Sequence, residues 1–106
     1  MRLLAIDVGN TRTHHGLFID HRLVQTGHGG SFPKADVVVA AKVAPAKLPQ
    51  GTLFLGRDIP PLTPNRARQP GSVGMDRLAQ TSGAWARAHR PLVTVSVGTA
   101  VTLNFV

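Results

Sequence analysis

Residues Leu4 to Thr11 read Leu-Ala-Ile-Asp-Val-Gly-Asn-Thr, and Gly16-Leu17-Phe18 follow close behind. Leu4, Ile6 and Val8 alternate with Ala5 and Asp7, which predicts a β-strand with one wholly apolar face. The strand ends in a tight glycine turn, and a second strand runs back from it. Gly9 has no side chain, so a phosphate can approach the backbone there. Asn10 and Thr11 add side-chain donors, and Asp7 adds a carboxylate able to hold a hydrated Mg²⁺. An ordinary Asn-Thr hairpin turn explains the same residues equally well, so the turn alone leaves both readings open.

The far end of the chain favours the phosphate reading. Val95-Ser96-Val97-Gly98-Thr99-Ala100-Val101-Thr102 repeats the pattern of Ile6-Asp7-Val8-Gly9-Asn10-Thr11-Arg12-Thr13. Each copy has an apolar strand with one polar position, then Val-Gly, then small polar residues. A degenerate repeat indicates one supersecondary unit used twice. Two such turns can grip one phosphate chain from opposite sides. Between them lies Gly74-Met75-Asp76-Arg77, an acid and a base at the start of a predicted helix. The helix dipole favours an acid in any first turn, so that tetrapeptide carries little weight alone.

With 106 residues the chain is read as one compact unit near the lower size limit for a good core. Its 42% hydrophobic and 16% charged residues are ordinary for a globular protein and exclude wholesale disorder. It has no cysteine, hence no disulfide framework and no thiolate metal site. Asp7 interrupts the first apolar run, which therefore is not a signal peptide, and no apolar stretch reaches transmembrane length. A cytoplasmic protein without a membrane partner is the expectation.

The formal charge of +7 arises from 12 Lys and Arg against 5 acids, all of them Asp. Such an excess suits a nucleic acid, a membrane surface or an anionic nucleotide. The basic residues are spread out, however, and the aromatics Phe18, Phe32, Phe54, Trp85 and Phe105 are not interleaved with them. The densest group, Arg57, Arg66, Arg68 and Arg77, reads as a solvated surface or a phosphate-facing rim.

The pattern predicts strands over residues 2–8, 14–20, 22–26, 36–41 and 52–55, with a tight Asp20-His21 connection. Val37-Val38-Val39 marks the fourth as buried on both faces. Residues 27–31 and the proline-rich segment 57–72 read as loops. One helix is predicted from Gly74 to His89, with Met75, Leu78, Ser82 and Trp85 on its apolar stripe. A closing hairpin pairs 92–97 with 100–106. His14 and His15 point to opposite faces of their strand, so they cannot share a metal and are read as a surface residue and a packed neighbour. His28 reads as loop surface, and Trp85 as core.

Taken in order, these elements resemble the type III pantothenate kinases, relatives of the Bvg accessory factors within the actin, hexokinase and Hsp70 superfold. The family's first phosphate motif looks like Asp7-Val8-Gly9-Asn10-Thr11 with Gly16. Its substrate motif looks like Gly74-Met75-Asp76-Arg77, preceded by Pro70 and Val73. Its second phosphate motif resembles Ser96 to Thr102, and Gly56-Arg57-Asp58-Ile59-Pro60 looks like the loop before the substrate motif. The resemblance implies an α/β fold: an actin-like (ribonuclease H-like) first lobe over residues 1–91, with the opening hairpin of a second lobe over 92–106.

It further implies phosphoryl transfer from ATP to the primary hydroxyl of pantothenate, the entry step to coenzyme A. Asp7, Val8, Gly9, Asn10, Thr11, Arg12, Thr13 and Thr99 would bind ATP, and Asp7 would help hold Mg²⁺. Asp76 would be the catalytic base. Gly74, Met75, Asp76 and Arg77 would bind pantothenate, with Arg77 answering its carboxylate or the transferred phosphate. Family members are homodimers and use a monovalent cation, K⁺ or NH₄⁺. The chain departs from the pattern in four places. Ser96 stands where the family has a cation-binding aspartate, and Ala67 where it has a tyrosine. The helix expected between Val43 and Leu53 is missing, and the sequence stops at Val106 where the second lobe would continue. Two other functions are carried beside the kinase: a catalytically inactive nucleotide-binding relic or regulator of the same family, and a basic nucleic-acid-binding module.

Overall fold

The computed structural model describes residues 1–106 apart from Pro70, Ser72 and Gly98 to Ala100. Its centre is a five-stranded mixed sheet. Strand β1 (Arg2–Val8) pairs antiparallel with β2 (Thr13–Ile19), and β2 pairs antiparallel with β3 (Arg22–His28). On its other side β1 pairs in parallel with β4 (Val37–Lys42), and β4 pairs in parallel with the short β5 (Leu53–Phe54). The spatial order is β3-β2-β1-β4-β5. Among the described residues there is one helix, α1 (Met75–Ala88), which packs against β4 and against β6 (Val93–Val97). A separate two-stranded sheet joins β6 to β7 (Val101–Phe105). No described helix is long and apolar enough to cross a membrane.

The alternation read in β1 separates the two faces of the sheet as expected. Leu4, Ile6 and Val8 are buried and form the core with Ala40. Phe32 and Ala35 cover that core from one loop, Ala44 and Leu48 from another. The opposite face presents Ala5 and Asp7 of β1 with Val39 and Ala41 of β4 toward α1. Both faces of β4 are thus covered, which accounts for its run of apolar residues. Asp20 and His21 have φ of 48° and 68°, the two positive values that a two-residue hairpin turn requires. His15 is the packed neighbour and His14 the exposed one. The His15 ring stands edge-on to Phe32 at 5.5 Å, and neither ring nitrogen has a hydrogen-bond partner among the described residues.

Helix α1 starts one residue later and ends one residue earlier than predicted, because Gly74 and His89 serve as its caps. His89 adopts the left-handed conformation, and its N–H donates to the Trp85 carbonyl. The buried side chains of α1 are Leu78, Thr81 and Ser82. Two of these are polar because they anchor the proline-rich segment. The Leu62 N–H donates to Ser82 Oγ at 2.9 Å, and the Thr63 and Thr81 hydroxyls meet at 3.0 Å.

The closing hairpin is oriented with its polar face inward. Thr94 and Asn104 hydrogen-bond Gln80 of α1 and each other, and Arg77 Nε donates to Asn104 Oδ1 at 2.9 Å. The apolar face points out. Val93 faces Phe105, Val95 faces Leu103 and Val97 faces Val101, and all six are more than half exposed. A contiguous apolar patch of this kind is what protein surfaces ordinarily cover.

Gly83 lies inside α1 on its exposed side, and a Cβ built there meets nothing within 4 Å. Gly83→Ala therefore removes backbone entropy from the unfolded chain at no steric cost. We expect about 0.5–1 kcal/mol of added stability, read as a raised denaturation midpoint.

Candidate functional site

The end of β1 opens into the glycine turn. The Gly9 N–H donates to the Arg12 carbonyl at 2.8 Å, closing a short loop that exposes Asn10, Thr11 and Arg12. A Cβ on Gly9 would lie 3.2 Å from that same carbonyl oxygen, so the turn has little room for a side chain. The Val43 N–H donates to the Val8 carbonyl at 3.0 Å, tying the end of β4 to the root of the turn. Residues Val8 to His14 line a cavity of about 630 Å³ together with His28, Gly29, Gly30, Ala44 and Pro45.

Asp7, the last residue of β1 on the outer face, lies at the wall of a second cavity of about 620 Å³. Asp76, 69 positions later in sequence, lines the same cavity from the first turn of α1. Gln80, Leu55 and residues 59–62 also line it. Gly74 explains why Asp76 can stand there: a Cβ at residue 74 would sit 2.5 Å from Asp76 Oδ1 and 3.1 Å from Val43 Cγ1. The motif's glycine thus makes room for its acid.

The charge of Asp76 reaches Asp7. The Asp7 carboxyl is pushed above its ordinary range, first by partial burial and then by the negative charge of Asp76, while His14 pulls it back. Like charges gathered in a partly desolvated cleft are the arrangement that functional sites use. It is also one that a divalent cation would relieve, so the donor set fits an ion held by one or two carboxylates and substrate oxygens. Among the described residues no group of three His or Asp side chains gathers around a metal-sized point.

The remaining expected site residues divide. Asn10, Thr11, Arg12 and Thr13 flank Asp7 at the turn, and Met75 opens α1 beside Asp76. Arg77 turns away from Asp76 toward β7, where its Nη2 also donates to the Leu103 carbonyl at 3.4 Å. It lines a third cavity, of about 650 Å³, with Asn65, Arg66, Ala67, Thr81 and Trp85. Trp85 is therefore partly a cavity wall as well as a packing residue. Ser96 pairs with Thr102 across the hairpin, so this position offers neutral hydroxyl oxygens. Thr99 lies outside the described residues, as does Pro70 of the substrate motif.

Sequence reading missed His28 and the polar network of Gln80, Thr94 and Asn104. His28 is the last residue of β3 and stands opposite His14, so it belongs to the sheet and not to the loop. The polar network had a signal, the alternation of Thr94 and Ser96 with valines, but not one that says which face turns inward.

A mixed sheet covered by helix α1, with two acids from distant segments facing one cavity beside a glycine turn, defines an α/β domain with a cleft of about 620 Å³. The family model for type III pantothenate kinase matches residues 40–106, and the chain belongs to that family. A type III pantothenate kinase of Myxococcus xanthus is 30% identical over an alignment covering 98% of this chain and 54% of the relative. One of Syntrophotalea carbinolica is 28% identical with the same coverage, and one of Phocaeicola vulgatus is 24% identical over 97% and 51%. The chain spans about half the length of the curated relatives it matches. The first alignment is 138 positions long against 106 residues here, so that relative also carries insertions within the shared region.

The raised Asp7 carboxyl has a consequence for stability. Its folded pKa lies above the unfolded value of 3.8, so ionisation is opposed in the fold and stability is lost as pH rises through that window. Asp7→Asn should raise the melting temperature near neutral pH and leave it unchanged well below the ordinary carboxylate range. Equal melting of the two proteins at neutral pH would contradict the assignment.

Proposed function

We propose that this chain carries the phosphate-binding and acceptor-binding part of a site that transfers a phosphoryl group from ATP to the primary hydroxyl of pantothenate. The observation that carries the proposal is the convergence of Asp7 and Asp76 on one cavity. Family membership supports the reaction class. The sheet order β3-β2-β1-β4-β5, with β4 and β5 parallel to β1, supports an actin-like first lobe over residues 1–91. The separate β6–β7 sheet supports 92–106 as the start of a second.

Phosphoryl transfer depends on positioning and charge stabilisation, with little covalent work for the protein. In this reading the turn from Val8 to Thr13 cradles the phosphates through backbone and side-chain donors, aided by Thr99. Asp7 holds Mg²⁺, which when bound neutralises phosphate charge. Asp76 orients the acceptor hydroxyl and takes its proton. Gly74 and Met75 shape the acceptor end of the cleft. Arg77 binds the pantothenate carboxylate; its partners in this structure are the neutral oxygens of Asn104 and Leu103, so its charge is available to an anion. Ser96 and Thr102 do not supply the carboxylate that a monovalent cation site of the family uses, and no role for K⁺ or NH₄⁺ is assigned. The exposed apolar face of the hairpin supports a homodimer.

Ser96 also favours a second reading, in which the protein binds nucleotide without turning it over. Stabilisation by ATP without phosphorylation of pantothenate is its signature.

Two variants test the first reading. Asp76→Asn should abolish pantothenate phosphorylation in a coupled assay while leaving titration calorimetry with an ATP analogue nearly unchanged. Undiminished turnover in the variant would remove Asp76 from the role of base. Gly9→Val should weaken nucleotide binding more than Asn10→Ala, because a Cβ at residue 9 already lies 3.2 Å from the Arg12 carbonyl oxygen and the branched side chain fills the phosphate's space, whereas Asn10 supplies one donor. Equal losses would mean that the turn does not approach the phosphate.

A further inference from the structure

We propose that His14 and His28 form a two-imidazole shelf that binds the polyphosphate chain of the nucleotide beside the glycine turn. The inference rests on the nucleotide reading above and assigns two residues to it. Its basis is register. Asp7 pairs with His14 across β1 and β2, and His14 pairs with His28 across β2 and β3. Cross-strand partners share a face of the sheet, so the three side chains form a row on one face. Both histidines are exposed on that face, in contrast to the buried His15 next to them.

The row ends in the right place. His14 and His28 both line the cavity of the glycine turn, with Arg12, Asn10, Thr11 and Thr13. Among the described residues lining that cavity none is acidic, whereas donors are plentiful, which is the chemistry of an anion site. His14 alone of the two also lines the cleft of Asp7 and Asp76. An elongated polyanion lying over the turn would therefore pass His14 on its way to the two acids. The Gly29 N–H donates to the Thr13 carbonyl at 3.0 Å, which pins the end of β3 beside His14. Gly29 and Gly30 leave open space above it, with nothing within 4 Å of a built Cβ.

A metal would not suit the row. Strands lie about 4.8 Å apart, so the backbones at Asp7 and His28 stand about 10 Å from each other, and among the described residues these side chains do not gather into a three-ligand metal group. A string of phosphate oxygens can follow such a row, taking an N–H from each ring in turn. Neutral imidazole supplies one such donor, and imidazolium supplies two.

The chain has five histidines, which gives a direct readout. In a ¹H–¹³C spectrum, titration with inorganic tripolyphosphate and then with ATP should shift the ring signals of His14 and His28 together. His21, in the far turn of the β2–β3 hairpin, and His89, at the end of α1, should stay in place. By calorimetry His14→Ala and His28→Ala should each weaken ATP binding about tenfold, with unliganded melting unchanged and with partial rescue in His28→Lys. If ATP binds the wild type while both histidines stay still and both variants bind as tightly, the shelf is wrong and the nucleotide reading survives. If all exposed histidines shift alike, the polyanion is binding to net charge and the shelf is wrong. If the wild type binds neither ATP nor tripolyphosphate, the nucleotide reading and the shelf fail together.

Discussion

The two-sided pleat of β1 is the constraint on which the rest depends. Its hydrogen-bonded neighbours, β2 and β4, fix it on both edges, so its side chains have two destinations and no others. Leu4, Ile6 and Val8 go to the core, and Asp7 is delivered to the opposite face at the strand's end. A slip of one residue would bury the carboxylate and expose three large apolar groups, so the same burial that stabilises the sheet enforces the register. The position of Asp7 at the cleft is in this sense a by-product of packing on the other face.

The second acid reaches the cleft by a different device. Asp76 depends on a helix that starts at a glycine, on the space which that glycine leaves, and on a proline-rich segment held down by Thr81 and Ser82. Bringing it near Asp7 costs stability, because its negative charge adds to the burial that already opposes ionisation of Asp7. Structural acids elsewhere show the opposite pattern. Asp58 is held below its ordinary range by the Arg57 guanidinium and the Phe54 N–H, and Asp20 by the N-terminal ammonium. The cleft is the one place among these where the fold raises a carboxyl, which is what a site adapted to a cation or a proton requires.

Much of this was legible in the chain. The alternation in β1, the Asp20-His21 turn, the continuous apolar run of β4 and helix α1 all follow from local rules, and the order of the motifs pointed to the family. What local rules could not supply was the partner of each face. The hairpin's valines suggest a buried surface, yet Gln80 and Arg77 draw Thr94 and Asn104 inward and the valines face out. Thr81 reads as a neutral helix residue until the loop that it anchors is placed. His28 reads as a loop residue because Gly27, Gly29 and Gly30 surround it, whereas the register with β2 extends the strand through it. Arg77 follows Asp76 directly in sequence, but successive helix positions diverge by about 100° and face different cavities.

The claim at the centre of this account is that two acids far apart in sequence share one cleft. A ¹³C-carboxyl NMR titration of Asp7, in the wild type and in Asp76→Asn, tests it most directly. The account predicts a wild-type Asp7 titrating above the ordinary aspartate range, and a fall toward that range once the charge at position 76 is removed, with the part due to burial remaining. An Asp7 that titrates normally, or one whose midpoint ignores the substitution at 76, would mean that the two motifs do not meet.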